Sequence, residues 1–183
     1  GDHSGGIRVT VSGPSDPRSG GIKNIKIFMP GFENSGQTFH PQFLQSLQPF
    51  QVIRFMDWQR TNNIGNSPVE WSDRVTGTYA SQAAHSGVSV EYMVELVNEL
   101  NADPWFNMPH TATDDYVRKF ATYVRDNLES NRRVYVEYSN EVWNSQFGQY
   151  QWIKSATGYD LGAGGDHAFF NKWAAEAGRD FKI

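Results

Sequence analysis

DPWFNMPHTATDDYVRKFATYVRDNLESNRRVYVEYSNE, the stretch from Asp103 to Glu141, decides the fold class. Asp103 to Met108 is short, largely apolar and stopped by Pro109, which reads as a strand. Thr113-Asp114-Asp115 then supplies capping chemistry for a helix whose Tyr116, Val117, Phe120, Val124 and Leu128 return at helical spacing. Arg133 to Ser139 is again strand-like. A strand, a helix of about 10 to 15 residues and a second strand make a βα unit of a parallel sheet.

The pattern repeats upstream. Val90, Met93, Val94, Val97 and Leu100 mark a helix from Val88 to Leu100, and Gln51 to Asp57 marks a strand before it. His40-Pro41 opens a helical run through Phe43, Leu44 and Leu47, itself preceded by a strand from Asn24 to Met29 that Pro30-Gly31 ends. Four strands are therefore expected from Asn24 onward, with a helix from Asp166 to Asp180 after the fourth. Residues 1–21 read as a separate tail: Ile7 to Ser12 alternates like the last strand of a preceding β-rich segment, and a Gly-, Pro- and Ser-rich turn follows it. Residues 22–183 form the α/β part. Within it, the polar segment from Trp58 to about Ser86 is long enough to be functional.

Four βα units suit either half of an eightfold barrel or an open doubly wound sheet, and periodicity does not separate the two. No Gly-x-Gly-x-x-Gly or Walker-type loop follows the first strand, which argues against a nucleotide-binding open sheet. The longer loops follow strands, where a barrel carries its active site. The expected fold is α/β, the N-terminal half of a (β/α)8 TIM barrel with its C-terminal half outside this sequence.

Composition narrows the partners. A net charge of -4 and the lack of any Lys/Arg cluster exclude a nucleic-acid stripe. No apolar run approaches the roughly 20 residues that cross a bilayer, so no membrane insertion is expected. With no cysteine there is neither a disulfide framework nor a thiol nucleophile. The sequence opens Gly1-Asp2-His3, with no initiating Met and no apolar leader, so any targeting segment is expected to lie outside it. Aromatic residues are 14% of the chain, with 6 Trp, and Asn and Gln are abundant beside them. Sugar rings offer C–H faces to aromatic side chains and hydroxyls to amides, so a saccharide is the ligand class composition favours.

Chemistry concentrates at the end of the quoted stretch, where an apolar strand runs into Asn140-Glu141. Cleaving a glycosidic bond needs a carboxylic acid that protonates the leaving oxygen and a second carboxylate across the sugar. Glu141 suits the first role, and the Asn140 amide suits a hydrogen bond to the 2-hydroxyl. Glu137 does not suit the second: four strand residues at about 3.3 Å each set it roughly 13 Å from Glu141, against about 5 to 5.5 Å for a retaining pair. By alternation Glu137 shares a face with Ser139 and Glu141 and needs a cation or donor, which Arg54 on the second strand is placed to supply. Arg54 thus has a structural and a catalytic reading. His110, just past the third strand, is either a residue at the start of the next helix or a substrate contact. Trp58, Trp71 and Trp143 lie at or beyond strand ends as sugar platforms, Asp57 is a further polar contact, and Trp105 and Trp173 are expected in the core. None of the 5 histidines falls in a ligand spacing, and neither metal nor cofactor is called for.

The segment Tyr138-Ser139-Asn140-Glu141-Val142-Trp143 resembles the fourth-strand Asn-Glu motif of the large clan of retaining glycoside hydrolases built on the (β/α)8 barrel. The resemblance runs from about Asn24 to the end. It implies that Glu141 is the general acid/base, that Arg54 is the clan's active-site Arg, that His110 binds substrate, and that the nucleophile is a Glu on the seventh strand, beyond this sequence. The blocks around Val52–Trp58 and Val134–Asn144 are similar to those of large secreted barrel proteins, some labelled cellulose-binding, which implies a secreted protein and a poly- or oligosaccharide partner.

Overall fold

The computed structural model describes residues 10, 27–28, 31–33, 35–79, 81–82 and 87–157. The chain divides into two compact units, Gly1–Thr38 and Phe39–Ile183; the elements below belong to the second. The strands expected at residues 7–12 and 24–29, the helix at residues 166–180, and Trp173 lie outside the described residues, apart from exposed, non-strand Thr10, Ile27 and Phe28.

The elements run α1 (Pro41–Leu47), β1 (Val52–Arg54), α2 (Val90–Leu100), β2 (Asp103–Met108), α3 (Asp114–Asn127), β3 (Tyr135–Tyr138) and α4 (Gly148–Thr157). The three strands form one parallel sheet in the order β1-β2-β3. The α/β class therefore holds, on three described strands. No helix among the described residues is long and apolar enough to cross a membrane.

Local chemistry sets the boundaries. His40 caps α1 through Nδ1, which accepts the Gln42 amide at 3.2 Å, and Pro41 fills the first turn. Ser89 caps α2 and Thr113 caps α3, their hydroxyls accepting the amides of Tyr92 and Tyr116. Pro104 sits in the middle strand, where a missing N–H is normally costly. Its neighbours Asp103 and Trp105 turn their peptide groups toward β1, so Pro104 faces the β3 side, and pairing there begins only at Trp105. β1 is shorter than the expected Gln51–Asp57 because Asp57–Gln59 tightens into a 3-10 turn. β3 stops at Tyr138 because Ser139 turns to φ 55°.

Register gives each sheet face its character. Ile53, Phe55, Pro104, Phe106 and Met108 face α2 and α3, where Phe106 stacks on Phe55 at 5.7 Å and meets Phe120 edge-on at 5.0 Å. Phe106 is fully buried, so truncation to Ala should cost about 3–5 kcal/mol. The opposite face carries Arg54, Trp105, Asn107, Tyr135 and Glu137. Trp105 was expected in the core; it lies half-buried on this polar face instead, its ring against Tyr135 and its Nε1 donating to Glu137. The long segment after β1 is tied down by a parallel bridge between Val69 and Ala112 and by an Arg74–Glu91 ion pair at 2.8 Å. Trp71 packs there against Tyr116 and under the Arg74 guanidinium.

Candidate active site

Because the strands are parallel, the residues after β1, β2 and β3 emerge at one edge of the sheet. The tightest construction there is the turn Ser139-Asn140-Glu141. Ser139 and Glu141 both adopt left-handed backbone, φ 55° and 41°, without being glycine. Such residues cost of order 1–3 kcal/mol each and persist only where their surroundings hold them.

A chain of side-chain amides does the holding. Arg54 Nη2 donates to Asn140 Oδ1 at 2.8 Å; since a guanidinium only donates, this fixes which end of the Asn140 amide is oxygen. Asn140 Nδ2 accordingly donates to Asn62 Oδ1 at 3.1 Å. Gln149 Nε2 of α4 donates to the same Asn62 oxygen at 2.8 Å and to the Asn140 carbonyl at 2.6 Å. Asn140 is 4% exposed and Gln149 1%. Thus β1, the loop after it, the catalytic-candidate turn and α4 share one continuous network. Neither Asn62 nor Gln149 stands out in the sequence, because buried amides carry no motif.

Arg54 also grips Glu137, with Nε at 3.0 Å and Nη2 at 2.8 Å from Oε2. The same carboxylate oxygen accepts Trp105 Nε1 at 2.9 Å and Asn107 Nδ2 at 2.8 Å. Asn107, fully buried, donates onward to the Ser139 carbonyl at 2.9 Å. The ion pair expected between Arg54 and Glu137 is present, and it is surrounded by donors that compensate a half-buried carboxylate.

His110 is 5% exposed. Its Nδ1 lies 3.5 Å from the Ser139 hydroxyl, its ring meets Trp152 of α4 edge-on at 5.3 Å, and its carbonyl accepts the Tyr138 hydroxyl at 2.6 Å. Burial lowers the imidazole below its ordinary 6.5, opposed by the Gly65 backbone. Burial likewise raises the Tyr138 phenol. α4, which has weak apolar periodicity and begins at a glycine, went unforeseen in the sequence; it packs Ile153 against Val142 and Trp152 over His110.

Glu141 itself is half-buried. Its Oε2 accepts Asn144 Nδ2 at 2.9 Å, and the Asn144 amide nitrogen donates to the Glu141 carbonyl at 2.8 Å. Asn144 is oriented in turn by the Gln146 amide, which donates to its Oδ1 at 3.1 Å. Next to this carboxylate in sequence, Trp143 is 55% exposed. Of the residues singled out from sequence, Arg54 and Asn140 are in direct contact, and His110 touches the same turn through Ser139. Asp57 and Trp58 sit in the 3-10 turn after β1, Asp57 exposed and Trp58 packed on Phe55 at 5.0 Å. Among the described residues, no cluster of three His, Asp or Glu side chains is placed to hold a metal.

Comparison with known families, curated proteins and solved structures returns no match. Any functional reading therefore rests on the residues themselves.

Proposed function

We propose that the chain is the N-terminal half of the (β/α)8 barrel of a secreted, retaining glycoside hydrolase acting on a poly- or oligosaccharide. The observation that carries the reading is the Asn140-Glu141 turn: a strained, network-held backbone at the C-terminal end of a parallel strand, presenting a half-buried carboxylic acid beside an exposed Trp143. Strain held at such an edge is characteristic of functional sites. A half barrel is supported by the sheet, whose α2/α3 face is covered while the opposite face carries the Arg54–Glu137 pair and Trp105, as a barrel interior would.

In this reading Glu141 donates its proton to the glycosidic oxygen as the C1–O bond breaks, and a carboxylate outside the described residues forms an ester with C1. Water then attacks C1, Glu141 takes the proton from it, and the ester bond returns its electrons to the nucleophile. Asn140 retains one Nδ2 hydrogen beyond its bond to Asn62, and this N–H serves the sugar 2-hydroxyl. Glu137 is given a structural role in this reading, its Oε2 accepting from Arg54, Trp105 and Asn107.

The test is hydrolysis of β-glucan oligosaccharides, whose leaving hydroxyl needs a proton, by the full-length protein and its Glu141→Gln variant. Turnover that collapses in the variant supports the reading. If neither protein turns over substrate but both bind sugar, the protein is a non-catalytic carbohydrate binder using the same cleft.

A further inference from the structure

The loop leaving β1 builds a recess of about 420 Å³, lined by Asp57, Trp58, Arg60 and Asn63 and closed by Gln82 and Gly87. Its shape is set by backbone. Arg60 is left-handed at φ 57°, and Gly87 at φ 77° approaches so closely that a Cβ would lie 2.5 Å from the Trp58 carbonyl oxygen. The Val88 amide donates to that oxygen at 2.8 Å, which locks the two sides of the recess together. Gln82 belongs to the wall, because its amide is used up on the Thr76 and Tyr79 carbonyls and the Ser89 N–H.

The remaining polar groups are differently placed. The Asp57 carboxylate and the Asn63 side-chain amide are exposed and make no hydrogen bond with the described residues, while the Arg60 guanidinium donates from Nη2 to the Asn63 carbonyl alone, at 3.1 Å. A carboxylate accepts hydrogen bonds from adjacent hydroxyls, and a guanidinium and an amide donate to them. One negative and one positive side chain leave the recess without net charge, which suits a neutral polyhydroxylated ring against Trp58. The volume lies within the usual range for small-ligand pockets. Between the lining residues Arg60 and Asn63 stands Asn62, which accepts a hydrogen bond from Asn140, so the recess and the Glu141 turn are joined by one short loop.

We propose that this recess is a subsite for one neutral, hexose-sized unit of an oligosaccharide, separate from the unit whose bond Glu141 cleaves. The proposal rests on the glycosidase reading and assigns Arg60 and Asn63 a role in binding that no motif marks. The test compares the full-length protein with Asp57→Ala and Arg60→Met on two substrates, a β-glucan tetrasaccharide and an aryl β-glucoside. Each variant should raise the ratio of KM for the tetrasaccharide to KM for the aryl glucoside by roughly tenfold, the loss expected of one hydrogen bond to a charged group. An unchanged ratio overturns the subsite while leaving Glu141 as acid/base, and tighter binding of an oligouronide than of the neutral tetrasaccharide overturns its ligand class. If the unsubstituted protein hydrolyses neither substrate, the glycosidase reading fails instead. The subsite is then decided by calorimetric binding of the tetrasaccharide: weakening by Asp57→Ala supports it, and absent or unaltered binding overturns it.

Discussion

Glu141 combines two properties that oppose each other. Its carboxyl group is the candidate acid, yet its backbone sits at φ 41°, where a side chain is a liability. Replacing it with glycine removes the acid and the strain together. Glu141→Gly is therefore expected to lose hydrolysis while leaving stability unchanged or raising it by up to about 1 kcal/mol, read from urea midpoints. A large loss of stability would show that the side chain, through Asn144, holds the turn rather than being held by it. Burial depresses the folded-state pKa of His110 below 6.5, so the unfolded chain takes up a proton in a range where the folded one does not. Its contribution to stability is full above about pH 6.5 and is lost as pH falls toward the lowered value. Unfolding midpoints measured between pH 7.5 and 5 should fall with acid, and the slope should flatten in His110→Gln.

Between elements, the decisive connection is the Arg54 guanidinium, which reaches Glu137 on β3 and Asn140 in the turn beyond it. Arg54 and Glu137 side chains are 36% and 26% exposed, between the surface pairs worth about 0–1 kcal/mol and the buried ones whose disruption costs about 3–5. Arg54→Met should cost about 2 kcal/mol in urea unfolding, and adding Glu137→Leu should recover part of it, since the carboxylate left without its cation is then gone. A double variant no better than the single one would place the cost in Asn140 instead. How far the sequence reveals all this differs by element. β2 is legible to the residue, Asp103–Met108, and α3 from its capping threonine to one residue short of the expected Leu128, which is the extended C-cap, because apolar period, a stopping proline and a capping threonine agree. Alternation along β3 placed Glu137 opposite a cation. α4 is not legible, because it is held by burying Gln149 and Ile153 and packing half-buried Trp152 beside the turn, a tertiary gain that leaves little periodic trace. Trp105 misled because an aromatic residue within a strand reads as core, whereas its indole N–H was needed by Glu137.

In the sheet as a whole, β1 and β3 each pair only with β2 among the described residues, and α2 and α3 pack on one face. Parallel sheets are stable when covered on both sides, and unpaired edges recruit other chains. In the half-barrel reading the complementary half supplies the second layer and the strand partners, so a polypeptide of these 183 residues alone should self-associate in sedimentation and that half should suppress it; a monomer with a cooperative melt would contradict the half-barrel reading. The role of Glu141 as acid is read from the leaving-group dependence of the full-length protein and Glu141→Gln. A dinitrophenyl leaving group departs without protonation, whereas a sugar hydroxyl does not. If Glu141 is the general acid, kcat/KM for an oligosaccharide should fall on the order of 10²–10⁴-fold in the variant while that for a dinitrophenyl glycoside changes little. Equal loss on both substrates, or no loss on either, would contradict it.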